Sequence, residues 1–384
     1  METDIHLTIP MPLHIIVDDV GWWSGKDGSK FNQPFRTGMG RDHLPEDYIA
    51  LAALGKMLNM KILAGFILCE WDKTNLLKKL PSSTWMGKDW NNATIRCDDK
   101  ERAAEIIRNE SDHIEISLHG IGHEFWINGK MHRAEFHDND CHMRNRSEIR
   151  KHFEFFFKLM EQYHLSPLPV TFIPPALKHS FGNGSEGFQK LLNEFGIRYV
   201  TTCFDKARQF SKPLHPKITW ESGVLIVDRG YPEPAWNDIG PDPVFAFDRP
   251  LLTLHWANIL HKNPEISLSV VNKWVDFIQK GAKTNGLLLS KDIQSCFTQF
   301  LHKLFSNILN SNGEFSIDLT WMEKLPQNLI GCSFFIKIEK PPSVNLKIFG
   351  AEAVCIHKGL EASILKLTPH KGIKKILLKP FHRV

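Results

Sequence analysis

Short apolar runs recur along the first three quarters of the chain, and most are followed by a segment with helical periodicity. The apolar runs cover residues 13–17, 61–68, 114–118, 169–173, 198–202, 224–227, 251–254 and 287–289. The helical segments between them cover residues 45–59, 99–109, 147–164, 187–195 and 268–281. Apolar strands that alternate with helices predict a parallel sheet covered by helices. Seven or eight such units favour a (β/α) barrel over a doubly wound sheet. The predicted fold class is therefore α/β, with a distorted seven-stranded barrel as one form of it.

The pattern changes after residue 310. The segment NSNGEF has the composition of a turn, and the later segments FFIKIEK, VNLKIFG, SILKLTP and KILLKPF alternate apolar and polar residues. Alternation with period two is typical of antiparallel strands with one solvated face. We therefore predict a barrel domain over residues 1–312 and a small β-sandwich-like domain over residues 313–384.

Composition narrows the class of protein. Of the 384 residues 42% are apolar, and the net charge is only +4 with the basic residues scattered. Neither nucleic acid nor an anionic membrane is therefore an expected partner. No stretch approaches the roughly 20 consecutive apolar residues of a membrane span. The seven cysteines form no CxxC pair and no signal peptide is visible, which predicts a cytoplasmic chain with reduced thiols.

Acids and histidines follow the predicted strands, whereas the strands themselves are apolar. In (β/α) barrels the active site is built from the loops after the carboxyl ends of the strands. The polar residues in those positions are Asp18, Asp19, Glu70, His119, His123, Asp228, Arg229 and His255. Two adjacent carboxylates behind a buried strand repel each other and need a compensating charge. A divalent metal would supply that charge.

His119 and His123 are the clearest candidates for metal ligands. Gly120 and Gly122 between them argue against a helix, so a loop has to bring the two imidazoles together. Two imidazoles and one carboxylate, from Asp19, form a facial triad with open positions for water and substrate. These ligands suit zinc first, with cobalt, nickel and iron as alternatives. The loop 132–146, with three histidines and three acids, is a weaker candidate for a second metal site.

These motifs resemble the polysaccharide deacetylase family, the NodB-homology group of carbohydrate esterases. The resemblance covers about residues 10–290 and leaves the C-terminal β region outside. The Asp-Asp pair resembles the family's first motif, which implies that Asp18 is the catalytic base and Asp19 a metal ligand. The HxxxH segment 119–123 resembles the second motif and implies that both histidines bind the metal. The segment LLTLHW resembles a Leu-x-x-His motif and implies that His255 is the general acid.

The segment FIPPAL resembles the family's strand-four motif, with one departure. Ile173 stands where the family has the arginine that orients the catalytic aspartate. Arg229, Arg36 and Arg41 are candidates to replace it. The same resemblance implies that the backbone N–H of Ala176 assists in stabilising the oxyanion.

The leading prediction is a metal-dependent deacetylase that acts on an N-acetylated sugar of a polysaccharide or its precursor, as in the assembly of surface polysaccharides or lipopolysaccharide. The candidate contacts to such a substrate are Trp22, Trp23, Glu70, Arg229, Trp236 and Asp238. Two alternatives stay open: a catalytically inactive carbohydrate-binding barrel, and a C–N hydrolase of a small non-sugar amide. The sequence determines neither the sugar nor the oligomeric state.

Overall fold

The computed structural model describes residues 5–93, 97–311, 313–326, 329–339, 344–359 and 362–382. Its strands are β1 (His6–Thr8), β2 (Pro12–Val20), β3 (Ile62–Ile67), β4 (Ile114–Gly120), β5 (Phe125–Ile127), β6 (Lys130–His132), β7 (Thr171–Phe172), β8 (Ser180–Phe181), β9 (Tyr199–Thr202), β10 (Arg208–Gln209), β11 (Ile218–Glu221), β12 (Val224–Asp228), β13 (Leu251–His255), β14 (Leu288–Leu289), β15 (Ile308–Ser311), β16 (Glu314–Asp318), β17 (Phe334–Glu339), β18 (Val344–Phe349), β19 (Ala351–Lys358), β20 (Ala362–Pro369) and β21 (Lys375–His382). Its α-helices are α1 (Pro45–Leu58), α2 (Cys97–Asn109), α3 (Arg146–Gln162), α4 (Phe188–Glu194), α5 (Ser267–Thr284) and α6 (Ile293–Phe305). Among the described residues, no helix combines the length and the apolar character that crossing a bilayer requires.

The chain divides into two compact units. One unit is Ile15–Gly281, and the other combines Met1–His14 with Ala282–Val384. This grouping places residues 1–14 and 282–312 with the C-terminal strands, whereas the predicted barrel domain includes them. The division into domains of 1–312 and 313–384 stays a prediction.

The unit Ile15–Gly281 is built on one sheet with the strand order β11-β12-β9-β7-β4-β3-β2-β13. The strands from β12 to β2 pair in parallel, and β11 pairs antiparallel with β12. Strands β2 and β3 are buried along their whole length, as their continuous apolar runs predict. The unit therefore has the mixed α/β architecture expected from alternating strands and helices.

The sheet curls strongly. Strands β2 and β12 are five positions apart in the sheet, which corresponds to about 24 Å if the sheet were flat. Nevertheless Arg229, directly after β12, donates a hydrogen bond of 3.3 Å to Asp18 in β2. β11 and β13 are the edge strands in this order, and among the described strands they do not pair with each other. The sheet is thus curled and open, and the complete barrel of the prediction is not formed by these pairings.

Two irregularities of strand pairing lie at the candidate site. The register between β2 and β3 shifts between Val17 and Val20, and Asp19 has a left-handed φ of 63°. The register between β3 and β4 shifts at the position of His119. Bulges redirect side chains and are frequent beside active sites. Because of the first one, Asp18 and Asp19 line the same pocket, although neighbours in a regular strand point to opposite faces.

The other unit contains two antiparallel sheets. Their described strands follow the orders β1-β17-β20-β19 and β15-β16-β21-β18. In β17 buried and partly exposed residues alternate, as the period-two pattern predicts. Phe334 and Ile336 of β17 share one apolar core with Phe315 and Ile317 of β16. Both β1 and β15 lie outside the sequence range in which antiparallel strands were expected.

Candidate metal centre and catalytic site

A pocket with a volume of ≈ 450 Å³ lies at the carboxyl ends of the parallel strands. Eight of the residues singled out from the sequence line it: Asp18, Asp19, His119, His123, Ala176, Arg229, Trp236 and His255. They come from β2, from β4 and the loop after it, from the loops after β7 and β12, and from β13. The curl of the sheet brings these strand ends together.

The side chains of Asp19, His119 and His123 converge in this pocket. Asp19 Oδ1 lies 3.3 Å from His119 Nε2 and 3.7 Å from His123 Nε2. The three donor atoms all lie within 4.8 Å of one another, and all three residues are buried. Apart from these two imidazoles, the structure gives Asp19 Oδ1 no hydrogen-bond partner among the described residues. A buried carboxylate oxygen facing two imidazole nitrogens fits a divalent cation.

The second nitrogen of each imidazole is already engaged. His119 Nδ1 lies 2.7 Å from the carbonyl oxygen of Ile173, and His123 Nδ1 lies 2.5 Å from Glu124 Oε1. Arg133 in turn forms an ion pair with Glu124. Contacts of this kind fix the ring orientation of metal-binding histidines and leave Nε2 available to the metal. Ile173, at the position of the family's arginine, thus contributes its backbone carbonyl.

The loop that carries His123 is held by Glu135. Glu135 Oε2 accepts hydrogen bonds from the backbone N–H groups of Ile121, Gly122 and His123 at 2.8, 3.0 and 3.0 Å. Gly120 has φ +136°, and a Cβ atom there would lie 2.4 Å from Glu135 Oε2. This contact explains the glycine after the first histidine. Glu135 is not part of any motif, because no local pattern links it to a loop twelve residues earlier.

Arg229 supplies the charge that Asp18 needs. It is fully buried, and its guanidinium contacts both carboxylate oxygens of Asp18. Burial tends to raise the pKa of Asp18, but Arg229 and then His119 oppose it, and the net shift is downward. The other two arginines proposed from the sequence are engaged elsewhere: Arg36 with Glu70, and Arg41 with Asp47.

His255 ends β13 at the edge of the same pocket. Burial lowers the pKa of its imidazole, and the charges of Asp19 and Asp18 offset that effect only in part. Its backbone N–H donates to Asn258 Oδ1 at 2.7 Å. The Asn258 side chain in turn donates to the carbonyls of Ala235 and Asp238. These bonds tie the end of β13 to the loop that carries Trp236.

One wall of the pocket is aromatic. The rings of Phe35 and Trp236 meet edge to face with centroids 6.0 Å apart, and the guanidinium of Arg133 lies 4.2 Å from the Phe35 centroid. Trp236 was predicted from the sequence, whereas Phe35 and Arg133 were not. Both lie in loops without a motif, so only the folded chain identifies them.

Four of the predicted substrate contacts do not line this pocket: Trp22, Trp23, Glu70 and Asp238. Trp22 is fully buried, which corrects the prediction that it contacts the substrate. Glu70 binds Arg36 through one oxygen and accepts the backbone N–H groups of Trp23 and Ser24 through the other. Asp238 is exposed and accepts the N–H of Ala235, so it shapes the loop behind Trp236.

The weaker metal candidate from the sequence has a simpler explanation. Asp138, Asp140 and His142 bring ligand atoms together in the loop after β6. Asp138 accepts the backbone N–H groups of Asp140 and His142 at 2.9 and 2.8 Å. The group is a hydrogen-bonded turn at the surface.

The chain is similar to a polysaccharide deacetylase and to a carbohydrate esterase. The first is the crystal structure of a Mycobacterium smegmatis protein described as a polysaccharide deacetylase. It has 14% sequence identity and a TM-score of 0.36, and the alignment covers 74% of this chain and 91% of that one. The second is a family 4 carbohydrate esterase from Streptomyces lividans in complex with acetate, with 8% identity and a TM-score of 0.33 over 73% of this chain and 92% of that one. No family model and no curated protein matches the chain. At these values, function has to be inferred from the side chains of the site.

Proposed function

We propose that this chain is a metal-dependent hydrolase that removes N-acetyl groups from a sugar of a polysaccharide or its precursor. The observation that supports this most is the different surroundings of two neighbouring carboxylates. Asp19 faces two imidazole nitrogens, whereas Asp18 is paired with the buried Arg229. Carboxylates in such different environments suit two different tasks, one in metal binding and one in proton transfer.

Asp19, His119 and His123 are the proposed ligands of a divalent cation, with zinc as the first choice. When bound, such a cation lowers the pKa of a water molecule and polarises a carbonyl group. Burial tends to lower the pKa of His119, but its contact with Asp19 and the two nearby carboxylates raise it overall. A cation bound to the three donor atoms would supply the positive charge that these carboxylates otherwise draw from a proton on His119.

The remaining residues handle protons and charge. Asp18, kept ionised by Arg229, accepts the proton of the attacking water. The backbone N–H of Ala176 stabilises the negative charge that develops on the amide oxygen. Ala176 and Leu177 both have left-handed φ angles, 52° and 57°, so this loop keeps a conformation that few non-glycine residues adopt. His255 gives a proton to the leaving nitrogen as the C–N bond breaks, and acetate and a free amino sugar result.

The aromatic wall is the proposed contact for the sugar ring. Phe35 and Trp236 both line the pocket that holds the acids and histidines. An aromatic face packs well against the C–H groups of a pyranose and costs little side-chain entropy. A sugar ring held there would place its acetamido group beside the acids and histidines that line the same pocket.

The test is acetate release from N-acetylglucosamine oligomers, together with metal analysis of the purified chain. His119→Ala should lose bound metal and activity. Asp18→Asn should keep metal but lose turnover, because the amide cannot accept the proton. His142→Ala, in the surface turn, is the matched control and should keep both. Full activity of Asp18→Asn would show that the base assignment is wrong.

The same experiment separates the two alternatives. A chain that binds metal and oligosaccharide without releasing acetate would be the inactive carbohydrate-binding barrel. A chain that hydrolyses small acylated amines but no oligosaccharide would be the non-sugar amide hydrolase. Loss of metal from His142→Ala but not from His119→Ala would contradict the proposed metal centre itself.

A further inference from the structure

The pocket that holds the proposed catalytic residues has more basic than acidic side chains in its lining. Its acidic residues are Asp18 and Asp19, and its basic residues are Arg133, Lys178 and Arg229. The guanidinium of Arg229 is paired with Asp18, and that of Arg133 forms an ion pair with the fully buried Glu124. The charges of these two arginines are therefore already balanced within the protein.

Lys178 differs from these two arginines in its partner. Its Nζ donates a hydrogen bond of 2.6 Å to the backbone carbonyl of Asn139, in the loop after β6. Among the described residues, no carboxylate forms an ion pair with Lys178. A lysine ammonium carries three donor protons. The bond to Asn139 therefore fixes the ammonium and leaves two donors and its positive charge for a ligand.

The segment 174–178 holds Lys178 close to the N–H group that is proposed to stabilise the oxyanion. The backbone N–H groups of Leu177 and Lys178 donate to the carbonyls of Pro174 and Pro175, each at 3.1 Å. Ala176 lines the same pocket and lies two residues before Lys178, so their α-carbons are at most about 7 Å apart. A sugar whose amide oxygen lies at the Ala176 N–H therefore has Lys178 within reach of a substituent on the same or the next unit.

The charge of Lys178 favours a ligand with a negative group. Hydrogen bonds from an ammonium to a carboxylate or phosphate are about twice as strong as those between neutral groups. Asp19 does not balance Lys178, because its carboxylate faces His119 and His123. A divalent cation at those three residues would add to the positive charge of the pocket. An acidic sugar therefore complements this lining better than a neutral one.

We propose that the N-acetylated sugar accepted by this site carries an acidic group, a carboxylate or a phosphate, on the reacting unit or on its neighbour, and that Lys178 binds that group. This inference rests on the proposed function and deepens it, because it names the substrate class as an acidic N-acetylated saccharide. Lys178 then determines specificity through its charge, separately from the residues that bind metal or transfer protons.

The test compares acetate release from acidic and neutral N-acetylated saccharides of matched size. N-acetylglucosamine with an anomeric phosphate is compared with its methyl glycoside, and a disaccharide of glucuronic acid and N-acetylglucosamine is compared with N,N′-diacetylchitobiose. At least one acidic member should have the higher kcat/KM, and which one it is identifies the anionic group. If neither acidic member is preferred, the inference is wrong.

Substitutions of Lys178 attribute this preference to its charge. Lys178→Met should lower kcat/KM for the preferred acidic saccharide about tenfold and leave the neutral saccharide unchanged. Lys178→Arg, which keeps the charge, should retain most of the preference. Lys190→Met, at an exposed lysine of α4 that does not line the pocket, is the matched control. Equal losses for acidic and neutral saccharides would show that Lys178 only ties the two loops together, which overturns the inference.

A binding measurement keeps this inference separate from the proposed function. In the Asp18→Asn background, calorimetric titration measures affinity for the same saccharides without turnover, with zinc bound and after treatment with a chelator. Lys178→Met should weaken binding of the acidic saccharide, and the loss should shrink as NaCl rises from about 0.05 to about 0.5 M, because salt screens the charge. Binding of the acidic saccharide that depends on zinc but not on Lys178 overturns the inference even if deacetylation is established. Binding that depends on Lys178 supports it even if the unaltered chain releases no acetate.

Discussion

Replacing Glu135 tests the most extensive set of contacts behind the candidate metal centre. Its carboxylate is fully buried and accepts three consecutive backbone N–H groups of the loop that ends at His123. The other oxygen lies 2.7 Å from His152 Nδ1. We expect Glu135→Leu to leave these groups buried and without acceptors, and to release the His123 loop.

The magnitude follows from the number of groups left unsatisfied. A buried N–H without a partner costs about 1–3 kcal/mol, so three of them lower the free energy of unfolding by about 3–9 kcal/mol. That range is comparable to the whole stability of many domains, which is about 5–15 kcal/mol. Glu135→Gln keeps a carbonyl oxygen for the three N–H groups and loses only the charge, so it should cost about 1–2 kcal/mol.

Urea unfolding followed by tryptophan fluorescence measures these differences. Glu154→Leu, at an exposed position of α3, is the matched control and should change stability by no more than about 0.5 kcal/mol. Glu135→Gln should also bind zinc more weakly, since His123 is oriented by this loop. If Glu135→Leu unfolds at the same urea concentration as Glu135→Gln, then Glu135 does not hold the loop and this explanation of Gly120 fails.

Three further predictions concern the same unit. Glu124→Gln weakens the contact that orients His123 and should lower zinc affinity about 10–100-fold in a chelator competition titration; unchanged affinity would contradict it. Arg229→Met removes the cation that lowers the pKa of Asp18, so that pKa rises and the acidic limb of kcat/KM should move to higher pH. Arg229→Lys, which keeps the charge, should move the limb less. Burial lowers the pKa of His179 from 6.5 to about 3, so the unfolded chain takes up its proton first and stability falls as pH drops from 6.5 towards 3. His14, His137 and His302 also have lowered pKa values and act in the same direction. His179 should contribute about 1.4 kcal/mol per pH unit of this loss, so the profile of His179→Gln should be shallower by that amount, and equal pH profiles of urea unfolding would refute it.

Local sequence patterns predicted the main elements closely. The apolar run 61–68 became β3 at Ile62–Ile67, and the helical segment 45–59 became α1 at Pro45–Leu58. Asn59 ends that helix with a left-handed φ of 52°. Short strands such as β1, β15 and the β5–β6 hairpin were not predicted, because three or four residues carry too little periodicity and depend on partners elsewhere in the chain.

The candidate site, like the fold, was predicted from the sequence only in part. The motifs singled out Asp18, Asp19, His119, His123 and His255, and all five line one pocket. The motifs did not decide which of three arginines pairs with Asp18, since Arg229 lies 211 positions away. Nor did they show that the ring of Trp22 is covered, because burial depends on what the rest of the chain packs against it.

The sequence by itself determined the alternation of the longer strands and helices and the chemical character of the strand ends. Both depend on the periodicity of neighbouring residues, which is encoded locally. Only the tertiary structure decided the curl of the sheet, the Asp18–Arg229 pair and the acceptance of three N–H groups by Glu135. These features join residues that are distant or unpatterned in sequence, and their energies exist only once the packed chain excludes water from them.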